Sequence, residues 1–371
     1  MQIGVPKEIK THEYRVGLVP SSVRELALHG HEVTVQTGAG AGIGIDDDAY
    51  RAAGAAIAAT ADEIFAMAEM IVKVKEPLAS EYRLLREEQI LFTYLHLAAD
   101  RAQTEGLMQS GCVAIAYETV TDRHGRLPLL APMSEVAGRM SVQVGARLLE
   151  KMQGGAGILI GGVPGVQAAK VVVVGGGVSG TNAVRMAMGM EAQCYVLDKS
   201  LERLSELDLQ FGPVLNTIYS TMDAIEQHVA MADLVIGAVL VPGAAAPKLI
   251  TRDMLRQMRP GSVFVDIAID QGGCAETSRP TSHDNPTYVE EGVIHYCVTN
   301  MPGAVPRTST FALNNATLPF ALAIADKGWR KAALDDPHLA NGINVLAGKL
   351  TSEAVARSLD LAYTPLKQAM G

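Results

Sequence analysis

Four valines run directly into Gly175, Gly177 and Gly180, spaced as G-x-G-x-x-G, and Asp198 closes the next apolar stretch. That combination can hold a dinucleotide. The first glycine permits a tight turn, the second lets backbone approach a pyrophosphate, and the third lets a helix pack against the strand before it. The start of that helix then faces the phosphates. Asp198 lies 18 residues beyond Gly180, where a carboxylate can accept from both ribose hydroxyls of the adenosine half and repel a 2′-phosphate. NAD is therefore expected rather than NADP. An isolated glycine motif can equally be a plain turn, but here strand, helix and acid are all in place.

A second group of reactive side chains stands in the first third of the chain. In "IVKVKEP" (71–77), strand alternation sets Val72 and Val74 on one face and Lys73 and Lys75 on the other. In "LFTYLHLAA" (91–99), the same period aligns Phe92, Tyr94 and His96. Lys75 and His96 both fall at the carboxyl ends of their strands, where open α/β sheets bind ligands. His96 reads either as a proton-exchanging group active near neutral pH or as a hydrogen-bonded core histidine. Lys73 is expected to be a solvated strand-end lysine. Arg15, in the polar loop "THEYRVGLVP", offers a planar fork suited to a carboxylate, or is a surface arginine. Further on, "GSVFVDIAIDQGG" reads as a buried strand ending in Asp270, with Asp266 as the competing acid.

These groups need a frame. The 371 residues suggest two domains, and 48% hydrophobic with 19% charged residues describe a folded globule. A net charge of -9 argues against a nucleic-acid surface. Cys112, Cys194, Cys274 and Cys297 lie too far apart for a zinc site or a disulfide framework, so no metal is expected and a reducing cytoplasm fits. The opening "MQIGVPKEIK" lacks a secretory core and no stretch reads as a membrane span. Apolar and amphipathic segments alternate in the manner of a parallel sheet with helices on its faces. Buried strands are expected in "QIGVP", "HEVTVQTG", "MIVKVK", "QILFTYLHL" and "CVAIAYETV", with a helix from Pro20 to Gly30. Val136, Met140, Val144 and Leu148 predict one long helix over 132–152, bridging two doubly wound domains. A second series starts at Lys170, and "TSTFALNNATLPFALAIADKGW" predicts an apolar helix that packs back on the first domain. The expected division is 1–130 plus 307–371 for a discontinuous substrate domain and 131–306 for a Rossmann dinucleotide-binding domain, joined by long helices with a cleft between.

At these residues the chain resembles the alanine dehydrogenase and transhydrogenase α-subunit family, and the dehydrogenases within it more closely. The likeness runs through "EYRVGLVP", "KVKEP", "FTYLHLA", "LLAPMSEVAGR", "GGVPGV", "ADLVIGAVLVPGAAAPKL" and "VDIAIDQGG", with Ala245 where the family has lysine. The resemblance implies NAD-dependent, reversible oxidative deamination of L-alanine to pyruvate and ammonia. Hydride would pass from the alanine α-carbon to NAD, followed by hydrolysis of the imine with His96 as general acid/base. It also implies a cytoplasmic homo-oligomer, commonly a hexamer. Carried over, Arg15 and Lys75 bind substrate while His96 and Asp270 serve proton transfer. The cofactor contacts fall on Ser134, Gly175, Gly177, Val178, Gly180, Asp198, Arg203, Ser220, Val239, Leu240, Ile267, Arg279, Val298, Asn300 and Met301. Two rivals remain: the nucleotide-binding part of a proton-translocating transhydrogenase, which does not keep the counterparts of His96 and Lys75, and a non-enzymatic NAD sensor on the same fold.

Overall fold

The computed structural model describes residues 1–239 and 246–371. The chain forms two compact units, Met1–Met133 with Val305–Gly371, and Ser134–Ala304. In the first, strands β1 (Gln2–Val5), β2 (Glu32–Gln36), β3 (Ala56–Ala58), β4 (Met70–Val72), β5 (Ile90–Thr93) and β6 (Val113–Ala116) pair in parallel in the order 3-2-1-4-5-6. The strands are rich in Val and Ile, and β4, β5 and β6 are buried along their whole length, as expected where helices cover both faces. Pro20 opens the helix Pro20–Leu28, where its fixed φ and missing N–H cost nothing, and Gly30 follows its end at φ 83°.

The 70–75 stretch is a strand only through Val72. Beyond it, the Lys73 N–H still reaches the Phe92 carbonyl at 3.2 Å, and the Tyr94 N–H reaches that of Val74 at 3.2 Å. The expectation that Lys73 is solvated fails: it is fully buried. Its Nζ donates to Glu81 at 2.7 Å and Glu8 at 3.1 Å, an arrangement that a local sequence pattern cannot reveal.

The second unit carries a matching sheet. Strands β7 (Lys170–Val174), β8 (Gln193–Asp198), β9 (Leu215–Tyr219), β10 (Leu234–Gly237), β11 (Val263–Asp266), β12 (Thr287–Glu290) and β13 (Val293–Tyr296) lie in the order 12-13-11-10-7-8-9. Only β12 is antiparallel, on β13. Val171 to Val174 are all buried, so the central strand faces helices on both sides. Returning to the first unit, the chain adds β14 (Ile343–Leu346), antiparallel to β6, and β15 (Lys349–Leu350) at the sheet edge.

Helix Ala131–Leu148 fills most of the stretch expected as one long helix, and a 3-10 turn takes Lys151–Gln153. Helix Pro306–Lys327 is clamped to the loop after β1 through one buried amide. Asn314 Oδ1 accepts from the Val19 N–H at 2.9 Å, and its Nδ2 donates to the Gly17 carbonyl at 3.1 Å. In both sheets the strand order reverses beside the first strand of its unit, between β1 and β4 and between β7 and β10. The crevice outside the carboxyl ends at such a reversal is where doubly wound sheets take their ligands.

Candidate active site

In the first unit, the loops leaving β1, β4 and β5 carry Arg15, Lys75 and His96. Arg15 is buried, and Glu13, two residues earlier, grips it: Nε donates to Oε1 at 2.7 Å and Nη2 to Oε2 at 2.6 Å. Nη1 meets Met133 Sδ at 3.0 Å. Burial opposes the Arg15 charge, but the Glu13 carboxylate outweighs it and holds the guanidinium protonated.

Lys75 is half-buried, and its Nζ stands 4.0 Å from Glu76 Oε2. Its carbonyl accepts from Thr93 Oγ1 at 3.0 Å and its N–H donates to Glu8 Oε1 at 3.2 Å, so the lysine loop is fastened on two sides. Glu76 also pairs with Lys10 from the loop after β1. Burial pushes the Glu76 carboxyl up, yet Lys75, Lys10 and His96 outweigh it and hold it below the usual carboxylate range. Its Oε2 accepts no hydrogen bond among the described residues.

His96 is exposed, which removes the reading of it as a core residue. β5 ends at Thr93, and His96 adopts φ 49°, ψ 38° before the 3-10 turn Leu97–Ala99. This left-handed geometry costs a residue with a side chain about 1–2 kcal/mol. Three contacts hold it there. The His96 N–H donates to Glu118 Oε1 at 2.6 Å, the Leu95 N–H donates to the same carboxylate at 3.2 Å, and the His96 ring stacks on Tyr94 with centroids 5.8 Å apart. Tyr94 is itself fixed by its hydroxyl, which donates to the Leu129 carbonyl at 2.5 Å.

In the second unit, Gly175 takes φ 104°, and a Cβ there would meet the Ala238 carbonyl at 2.7 Å. A Cβ at Gly180 would collide with the Gly175 carbonyl, while one at Gly177 would meet nothing within 4 Å. Gly177 thus leaves an open face at the N-terminus of helix Val178–Gly189, and the three glycines fit a dinucleotide cradle. Asp198 ends β8. Its Oδ2 accepts from the Gly176 N–H at 2.7 Å and its Oδ1 from the Ser200 N–H at 2.8 Å, which aims the carboxylate at the turn and leaves further lone pairs on both oxygens. Arg203 braces the same turn, donating from Nε to the Gly176 carbonyl at 2.7 Å and from Nη2 to Thr181 Oγ1 at 2.6 Å.

The other residues assigned to the cofactor follow the same edge of the sheet. Val178, Ser220, Val239, Ile267 and Val298 lie just past β7, β9, β10, β11 and β13. Ser134 lies one helical turn before Gly138, where a Cβ would collide with the Ser179 carbonyl. Arg279 lies over the Tyr288 ring at 3.8 Å, Asn300 takes φ 59°, and Met301 opens the 3-10 turn Met301–Ala304. Leu240 and Ala245 lie outside the described residues.

The strand expected to end at Asp270 ends instead at Asp266. Asp266 is buried and accepts from the Ala268 and Cys274 N–H groups at 3.0 and 2.9 Å and from Ser278 Oγ at 2.5 Å. Burial pushes its carboxyl up against these bonds. Capping by this acid turns the chain into the 3-10 segment Ile267–Gln271, on which Asp270 is exposed. Of the two acids, Asp266 is buried within these bonds and Asp270 is exposed. Sequence reasoning missed Glu8, Glu13, Glu76, Glu81 and Glu118. Most stand in polar stretches that read as solvated, Glu118 stands inside the apolar run "CVAIAYETV", and none carries a local sign of its partner.

Comparison with known proteins extends over the whole chain. Residues 4–137 match the family description "Alanine dehydrogenase/PNT, N-terminal domain" and residues 141–353 its C-terminal counterpart. An alanine dehydrogenase of Halomonas elongata is 61% identical over 371 residues, all of both chains. One of Mycobacterium tuberculosis is 54% identical over 98% of each. A solved L-alanine dehydrogenase structure superposes with a TM-score of 0.95 at 56% identity, covering 98% of this chain and 100% of that one. A transhydrogenase of Sinorhizobium meliloti, at 24% identity and a TM-score of 0.82, shares the fold.

Proposed function

The chain belongs to the alanine dehydrogenase/PNT family, and from that premise we propose that it catalyses the reversible conversion of L-alanine, NAD and water into pyruvate, ammonium, NADH and a proton. The observation that carries this reading is the gathering of Arg15, Lys75 and His96 on loops at the carboxyl ends of β1, β4 and β5. NAD, when bound along the Gly175–Gly180 turn and Asp198, supplies the hydride acceptor. The chain's own residues do the rest. Arg15, steadied by Glu13, binds the substrate carboxylate. Lys75 sets positive charge where the carbonyl oxygen of pyruvate gathers electron density in the reverse direction. Water adds to the carbon of the C=N bond as His96 takes its proton. The same group returns a proton to the nitrogen, and as the C–N bond of the carbinolamine breaks, the hydroxyl proton passes back to His96 while the C–O bond becomes the carbonyl of pyruvate, releasing ammonia. Asp270 orients the water or the amine.

The test is direct. The protein mixed with NAD and L-alanine should generate NADH absorbance, with NADP far less effective because Asp198 disfavours a 2′-phosphate. Hydride exchange between two nucleotides without any response to alanine would mark the transhydrogenase alternative. Cofactor binding with neither reaction would mark a sensor.

A further inference from the structure

We propose that Glu118 is a positioning residue for His96, holding the left-handed turn that sets where the imidazole is presented. The inference rests on the reading of His96 as the acid/base group. β5 and β6 run parallel with Thr93 opposite Ala116, so the chain leaves both strands at the same level. Glu118 lies in the 3-10 turn Tyr117–Thr119 directly past β6, beside the segment leaving β5. Once β5 has ended, the N–H groups of Leu95 and His96 have no ladder partner, and both turn onto this one carboxylate. The distances are 2.6 Å from His96 to Oε1 and 3.2 Å from Leu95 to each oxygen. Consecutive N–H donors on an ionised acceptor form charge-assisted bonds, the stronger kind. They stabilise a conformation that a residue with a Cβ otherwise avoids, at φ 49°. Glu118 touches the backbone of His96 rather than its ring, so its effect on turnover should run entirely through that residue.

A double-mutant cycle isolates this dependence, because residues acting as one unit lose activity non-additively. Four proteins are compared: the unmodified chain, Glu118→Ala, His96→Asn and the pair. Turnover, the KM for pyruvate, NADH binding by fluorescence and the melting temperature are read for each. Glu118→Ala should lower turnover about 10- to 100-fold, the scale of a small misplacement of a reacting group. NADH binding and the KM should change little. In the His96→Asn background the same change should cost less than about twofold. Where the alanine variant does not fold, Glu118→Gln keeps the size and one acceptor oxygen and carries the same comparison with a smaller loss. Losses that multiply, or normal turnover in either Glu118 variant, overturn the proposal while leaving His96 in its role. Normal turnover by His96→Asn removes the role of His96, and that of Glu118 with it.

Discussion

A guanidinium already gripped by a carboxylate on its Nε–Nη2 side is held in one orientation before any ligand arrives. That is the state of Arg15 under Glu13, and a lysine there would have a single ammonium to offer both Glu13 and a ligand, without the planar fork of a guanidinium. Arg15→Lys should raise the KM for pyruvate about 10- to 100-fold, the equivalent of one charge-assisted hydrogen bond of roughly 1.5–3 kcal/mol. An unchanged KM would hand the substrate carboxylate to another cation. His96 gives the complementary test. Asparagine keeps much of its size but cannot shuttle a proton, so His96→Asn should lose roughly 10²- to 10⁴-fold in turnover while still binding NADH. A variant that melts early but turns over alanine normally would defeat the assignment. Lys75 and His96 stand out in the sequence because a cation or an imidazole closes an apolar run, and Arg15 because its planar fork sits in a polar loop next to a strand. Their carboxylate partners are not. Glu118 is 22 residues from His96, and Glu8 is 65 from Lys73; nothing local distinguishes such an acid from a solvated one.

Elements show where strand patterning stops being informative. Alternation along "IVKVK" treats Lys73 and Lys75 alike, yet the pleat ends at Val72, and the two lysines part: Lys73 enters the interior and Lys75 remains half-buried. In the same way the apolar run through Ile269 hides the end of β11 at Asp266, where a side-chain cap redirects the chain. β3, with three residues, and β15, with two, are too short to carry a period at all. The parallel order of the central strands, by contrast, follows from long buried apolar runs joined by helices. Lys73 ties these elements together, since Glu8 belongs to the loop after β1 and Glu81 to the helix Ala79–Tyr82 beyond β4. Burial opposes its charge, but Glu8 and Glu81 prevail and raise its pKa. Lys73→Met should therefore cost about 3–5 kcal/mol, because two carboxylates stay buried without their cation. The sign of its pH dependence is fixed. Burial already pushes the Glu8 carboxyl up against the pull of Lys73, and losing Lys73 raises it further, so the variant's deficit should shrink as pH falls and this acid protonates. Urea unfolding at pH 8 and pH 5.5 measures it, and a deficit that grows on acidification would contradict a buried-charge origin.

On the scale of the molecule, the charge and the hydrophobic surface pull in different directions. A net charge of -9 opposes close approach between copies of the chain. Yet Met152, Leu159, Val163 and Val166 are 90%, 65%, 53% and 65% exposed within one segment of the second unit. The resemblance read from the sequence carries the expectation of a closed homo-oligomer, commonly of six subunits. Closed symmetry lets every copy bury the same surface without propagating into fibres. Area-proportional apolar burial can outweigh dispersed like charges, which at physiological salt are screened beyond about 8 Å. Light scattering on the purified protein should therefore return six times the chain mass of 39.2 kDa. The melting temperature should rise with protein concentration, because assembly stabilises the folded subunit by mass action. Adding salt should favour the assembled form, since it screens the repulsion and leaves apolar burial in place. A monomer mass at micromolar concentration, with a melting temperature independent of concentration, would place the assembly outside this chain's properties.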